Sequence, residues 1–145
     1  MIILKDLIEQ YVALPGMSLE QIAEHLSAIG LEVASVQGPG GVLEVEVTPN
    51  RPDWLSHVGV ARDLFAQIPE ARLLTREGVL VPLIPSTDEA PVSIRDAGCS
   101  HYELCALQGL TARPSLEKHQ DVLTRLGLNP RNSLVDMSNL ALHLL

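Results

Sequence analysis

Aromatic side chains are scarce in this chain: one Trp, one Phe and two Tyr in 145 residues. Basic residues are also few, with 10 Lys and Arg against 18 Asp and Glu, for a formal net charge of −8. A net anion of this size repels phosphate backbones at long range, which disfavours generic nucleic-acid binding. Cysteine is nearly absent, Cys99 and Cys105 being the whole supply. A disulfide between them is possible in principle, but two thiols in a cytosolic chain are expected to stay reduced. Together with His101 they make three soft ligands with no fourth and no Cys-x-x-Cys spacing, so no metal site is expected. No apolar run reaches the length needed to span a bilayer. The start, Met1 to Asp6, lacks a basic leader, a long apolar stretch and a small-residue cleavage site, so no secretory signal is expected and the cytoplasm is the default.

What is present is apolar and unevenly charged. Hydrophobic residues make up 46% of the chain, enough for one compact domain or two small ones without covalent staples. Residues 1–50 carry a single base, Lys5, against seven acids, whereas residues 91–145 carry five of each. Four of those five bases, Arg113, Lys118, Arg125 and Arg131, could form a local patch. Without interleaved aromatics they read either as a solvated helical face or as a local contact for RNA.

Hydrophobic spacing then lays out the elements. Leu4, Leu7, Ile8 and Tyr11 recur at helical spacing and predict a short amphipathic helix over residues 3–12, ended by Pro15-Gly16. Ser18-Leu-Glu-Gln21 reads as a capping box opening a second helix that buries Leu19, Ile22, Leu26 and Ile29, with Gly30 as its left-handed stop. Residues 31–35 suggest a strand. Residues 37–41 are a glycine-rich turn. Leu43, Val45 and Val47 alternate with Glu44 and Glu46 as a half-buried strand with one wet face, so the two strands should pair as a hairpin. Thr48-Pro-Asn-Arg-Pro-Asp53 is a rigid loop, because two prolines three apart forbid both helix and ladder pairing. Asp53 is placed to cap the next helix, with Leu55, Val58, Ala61, Leu64 and Phe65 as its buried stripe and an end near Pro69. Val92–Arg95 and Glu103–Leu110 read as strands. Ser115 should cap a helix that buries Leu116, Leu123 and Leu126 and ends at Gly127. A last apolar helix starts at Asn132 or Ser133. The fold class is therefore α+β, organised as a helix-pair and antiparallel-strand unit over residues 1–75, a connector over 76–91 and a second, partial α+β unit over 92–145. The strand at 103–110 has few partners in such a layout, so another chain, including a second copy, is a candidate to complete an open sheet edge.

Two segments carry a family resemblance. The run Leu43-Glu-Val-Glu-Val-Thr-Pro-Asn-Arg-Pro-Asp53, followed by Trp54-Leu-Ser-His-Val-Gly-Val-Ala-Arg-Asp-Leu64, resembles the corresponding run of bacterial phenylalanyl-tRNA synthetase beta subunits. Gly127-Leu-Asn-Pro-Arg-Asn-Ser-Leu-Val-Asp-Met-Ser-Asn139 is similar to the Gly-x-x-Pro-x-Asn-Asn-x-Val-Asp-x-Thr-Asn run that opens that subunit's editing module. Pro114-Ser115, the opening helices and Gly30-Leu-Glu-Val33 fit the same pattern, so the resemblance covers almost the whole chain in order. It departs from the family in two places. Residues 37–42 stand where members usually carry a large RNA-binding insertion of the oligonucleotide-binding type. The family's helix also continues into a Gly-Gln-Pro-Met-His-Ala-Phe-Asp run that has no counterpart here.

The resemblance implies a non-catalytic role in subunit scaffolding during protein synthesis, with the synthetase alpha subunit as partner and no cofactor. A free-standing tRNA-binding or trans-editing protein is the alternative. Of the family's editing-pocket residues only Asn139 carries over. Asn139 is either a ligand contact or, like Asp136, a residue spent on backbone hydrogen bonds inside a helix. Hydrolytic editing would further need a base and oxyanion donors that no nearby residue supplies. Arg51, between two prolines and beside Asn50, is preorganised for a carboxylate or phosphate of a partner, or forms an internal ion pair with Asp53 or Glu44. Arg113 and Arg131 are the further candidates for such contacts. His57 reads as a surface or cap histidine.

Overall fold

In a computed structural model the described residues are 1–74, 93–100, 102, 107 and 109–145. They form a mixed α+β fold of antiparallel sheets and helices, in the order β1 (Ile2–Leu4), α1 (Lys5–Ile8), β2 (Val12–Ala13), α2 (Leu19–Ala28), β3 (Glu32–Gln37), β4 (Val42–Glu46), α3 (His57–Gln67), β5 (Arg72–Leu73), α4 (Glu117–Arg125) and α5 (Ser133–Leu144). A 3-10 turn, Pro52–Leu55, stands between β4 and α3. Met1–Arg76 and Ala112–Leu145 together make one compact unit, and Glu77–Thr111 the other.

The larger unit is built on a three-stranded sheet of order β1-β4-β3, both pairings antiparallel. The glycine-rich turn closes the β3–β4 hairpin, with Gly40 at φ 99° and Gly41 at φ 63°, a region that residues with a Cβ rarely adopt. The segment expected as one helix over residues 3–12 splits instead into β1, α1 and β2. Ile3 is paired opposite Leu43 and Leu4 opposite Val42, so ladder hydrogen bonds override the helical periodicity at its start. The other short sheet pairs β2 with β5.

Helix α2 follows the sequence closely. Ser18 accepts the Gln21 amide at 3.3 Å while the Gln21 side chain accepts the Ser18 amide at 2.8 Å, so the capping box is complete. At the far end Gly30, at φ 93°, lets Leu31 N–H reach the Leu26 carbonyl at 3.0 Å, and Leu31 folds back into the core. The same closure recurs after α4, where Leu128 N–H bonds the Leu123 carbonyl at 2.8 Å across Gly127.

Two apolar clusters follow from the sheet's two faces. Ile3, Leu43 and Val45 join Ile8, Ile22, Leu26, Leu31, Trp54, Val60 and Leu64 in the main core. Val42 and Leu4 point the other way and join Leu7 and Leu126, with Ile2, Val122 and Leu144 packed against them. The face expected to be wet is thus covered by α4 and α5 at its Val42 end, while Glu44 and Glu46 remain exposed. The buried side of α3 is also rotated from its expected stripe. His57, Gly59, Val60, Ala61 and Leu64 are inside, whereas Leu55 is 57% and Phe65 43% exposed. On α4, Leu123 and Leu126 are buried but Leu116 stands out at 62% exposure.

In the second unit residues 93–95 run without strand pairing, unlike the strand expected over Val92–Arg95. The Asp96 carboxylate accepts the Gly98 amide at 2.7 Å, closing a small turn in front of the exposed Cys99. Most of the strand expected over Glu103–Leu110, Cys105, His101 and the connector all lie outside the described residues.

Candidate functional site

The Thr48–Asp53 loop is fastened at both of its ends. Arg51 N–H bonds the Thr48 carbonyl at 3.0 Å and Trp54 N–H bonds the Arg51 carbonyl at 3.1 Å, with Pro52 at the first position of the 3-10 turn, where its missing N–H costs nothing. Arg51 is the hub. Its Nε and Nη2 donate to the two carboxylate oxygens of Asp53 at 3.0 and 2.7 Å, Nη2 also donates to Asp63 on α3, and the guanidinium lies over the Trp54 ring with Cζ 3.6 Å from its centroid. The indole Nε1 of Trp54, itself only 2% exposed, donates to the same Asp63 carboxylate at 2.7 Å. Of the two internal ion-pair partners considered for Arg51, Asp53 is engaged. Asp63, nine residues beyond Trp54, completes the set.

The hydrogen bonds that Arg51 donates hold the Asp53 carboxyl below its ordinary range, and the accepting carboxylates of Asp53 and Asp63 raise the guanidinium further above its own. The cap expected of Asp53 passes to Ser56, whose hydroxyl accepts the Gly59 amide at 3.1 Å and donates to the Asp53 carbonyl at 3.3 Å. Asp53 is pulled away from the helix end by the guanidinium fork. A Cβ at Gly59 would lie 1.8 Å from the Asp53 carbonyl oxygen, so the loop can reach α3 only because residue 59 has no side chain.

His57, the first residue of α3, is fully buried and not a surface histidine. Its Nε2 accepts the Leu4 amide at 3.0 Å and its Nδ1 faces the backbone carbonyl of His143 on α5. Burial lowers its affinity for a proton, partly offset by that carbonyl.

The chain from Arg113 to Asn139 forms a second fastening. Ser133 N–H bonds the Arg113 carbonyl at 2.7 Å, and Asn132 caps α5 by accepting the amides of Leu134 and Val135 at 3.1 and 3.2 Å. Asp136 is fully buried and accepts the Arg131 amide at 2.8 Å together with the Ser115 hydroxyl, which lowers its pKa. The carboxylate claims the hydroxyl that was expected to cap α4, and Leu116 stands at the N-cap of α4 instead, with no side-chain cap. Arg125 closes the loop to the amino-terminal half: Nη1 and Nη2 donate to Asp6 at 3.1 and 2.7 Å, Nη1 to the Gly40 carbonyl at 3.0 Å and Nε to Asp121 at 2.9 Å.

The candidate residues therefore divide. Arg51 sits inside a closed ionic network. Asn50 is exposed at the turn beside it, Arg113 and Arg131 are exposed side chains flanking the start of α5, and Asn139 is half-buried on α5. Sequence reasoning passed over Asp63, Trp54 and Asp6 as partners. Trp54 carried a signal, being the single tryptophan next to the double-proline loop, whereas the pairing of Asp6 with Arg125 spans 119 positions and left none. Among the described residues there is no group of three His, Cys, Asp or Glu side chains that could hold a metal, and no helix is long and apolar enough to cross a membrane.

Comparison with known proteins gives one consistent result. Over 119 residues the chain is 40% identical to the phenylalanine–tRNA ligase beta subunit of Chlorobium luteolum, covering 81% of this chain and 14% of that subunit. The beta subunit of Salinibacter ruber is 37% identical over 114 residues, 78% of this chain and 14% of its own length. That of a Synechococcus species is 33% identical over 126 residues, 86% of this chain and 15% of its own. No family model and no solved structure matches.

Proposed function

The chain belongs to the phenylalanine–tRNA ligase beta subunit family, spanning about 14% of the length of the first two relatives, and from that premise we propose that it serves protein synthesis as a non-catalytic scaffold that docks the ligase's alpha subunit. The observation that carries this reading is how the shared motif spends its polar groups. Arg51, Asp53, Trp54, Ser56 and Asp63 are all consumed in holding one loop against one helix. Such a network is a rigid joint, and a rigid joint is what a docking surface needs to keep its ordering cost low on association. Asn50, at the tip of that joint, is the side chain best placed to meet the partner.

Binding of tRNA is the weaker reading. Of its basic set, Arg125 is spent on Asp6 and Asp121, leaving Arg113, Lys118 and Arg131 on a chain of net charge −8. Sedimentation velocity of the chain mixed with a bacterial phenylalanine–tRNA ligase alpha subunit tests the proposal. Co-sedimentation at micromolar concentration is expected. Independent sedimentation of the two, with a shift only on adding tRNA, would replace scaffolding by the RNA reading.

A further inference from the structure

We infer that His57 is a proton-sensitive clasp: one buried neutral ring ties the β1–α1 junction to the last turn of α5, and a second proton on that ring lets α5 go. Donors and acceptors around the ring fix its tautomer. The Leu4 amide can only donate, and it points at Nε2 from 3.0 Å, so Nε2 must be the unprotonated nitrogen. The ring proton then resides on Nδ1, where it meets the His143 carbonyl, an atom that can only accept. A neutral imidazole in this one tautomer satisfies both neighbours. The imidazolium cannot, because it would set an N–H at Nε2 against the Leu4 N–H in a site with no solvent exposure.

The three elements that meet at the ring belong to the same compact unit, and the contact to His143 spans 86 positions. Leu144, the next residue, is only partly buried against the Leu4–Leu126 cluster, so the end of α5 has modest apolar anchoring of its own. Two titratable groups act on the ring. Asp6 on α1 favours its cation, but that carboxylate is already engaged by Arg125, and His143 on α5 opposes it. Desolvation is the largest influence and keeps the proton off. The sign follows. The ring takes a proton more readily once released and solvated than when clasped, so the clasp is at full strength above the ordinary imidazole value of 6.5 and weakens as pH falls below it.

The test is made on the full chain, by 15N-resolved NMR of the imidazole rings and by amide hydrogen exchange between about pH 8 and pH 5, corrected for the intrinsic rate. At the high end the His57 Nε2 should be unprotonated. On acidification, protection of the Leu4 amide and of the last turn of α5 should fall by about tenfold per pH unit once the clasped ring would be out-competed by the released one. The α2 amides should keep theirs. His57→Gln should abolish the pH response, whereas His143→Gln should keep it, because the clasp bond is made to the backbone carbonyl of residue 143 and the side chain there only opposes the cation. Should His57→Gln fail to fold, the ring 15N shifts of the unaltered chain and the exchange of His143→Gln decide the matter without it. A protonated Nε2 at pH 8, an equal loss of protection in α2 and α5, or a response that disappears in His143→Gln would each overturn the inference.

Discussion

A methyl group at residue 59 would sit 1.8 Å from the Asp53 carbonyl oxygen and 3.2 Å from the Ser56 hydroxyl. The backbone on both sides is fixed, one side by prolines and the other by helix, so neither can retreat cheaply. Gly59→Ala is therefore expected to cost about 3 kcal/mol or more of stability, at the upper end for overpacking, measured as a lowered urea midpoint. Gly16 has open space around it, so its demand is on backbone angle alone, φ 73°. At this scale the sequence was legible where a side chain acts on neighbours a few positions away. The Ser18–Gln21 box and the Asn132 cap are of that kind. Ser56 and Asp53 show the limit. Both are good caps by composition, and the choice between them was made by Arg51, whose guanidinium draws Asp53 out of reach. His57 shows a deeper limit, since its partners are a backbone amide 53 positions away and a carbonyl 86 positions away.

Strand β4 sets the logic of the elements. Its alternation of Leu43 and Val45 with Glu44 and Glu46 announces one dry face, and that face is the main core. Val42 belongs to the opposite face and lay hidden in a turn-like stretch of glycines. Only the arrival of α4 and α5 makes it core. Leu126→Ala, in the middle of that second cluster, is expected to cost about 2–3 kcal/mol and to raise exchange in α4 while leaving α2 protected. Arg125→Gln should be far milder, within about 1 kcal/mol and shrinking with added salt, because its Asp6 partner is half exposed. The helix read over residues 3–12 failed for a related reason. Its Leu4, Leu7 and Ile8 do sit at helical spacing and are all buried, but Leu4 is buried from a strand and the other two from a helix of four residues.

For the whole molecule, acid sensitivity should come in two stages. His57 has a lowered pKa, so its contribution is full above 6.5 and declines below that value. Asp53 and Asp136 have lowered carboxyl pKa values, so their contributions are full above the ordinary 3.8 and are lost only as pH falls through their lower folded values. A urea midpoint followed against pH should accordingly drop first below about 6.5 and again below about 4. Asp136→Asn should remove much of the second drop, although it also turns one of the two carboxylate acceptors, which take the Arg131 amide and the Ser115 hydroxyl, into a donor and so lowers the plateau. The family and the α+β class were legible because the Thr48–Asp53 loop and the capped helices are local. How the amino-terminal sheet gathers in residues 112–145 was not, because it rests on Arg125 with Asp6, His57 with His143 and Val42 with Leu126, pairs that no local pattern links.

The most direct test of the joint is a double-variant cycle on Arg51 and Asp63, with urea unfolding read through Trp54, the single tryptophan, which lies under the guanidinium. If the motif's polar groups work as one rigid joint, Arg51→Ala and Asp63→Asn will each lower the midpoint, and the double variant will lie close to the weaker single one. Two singles that leave the midpoint in place, or effects that simply add, would contradict it.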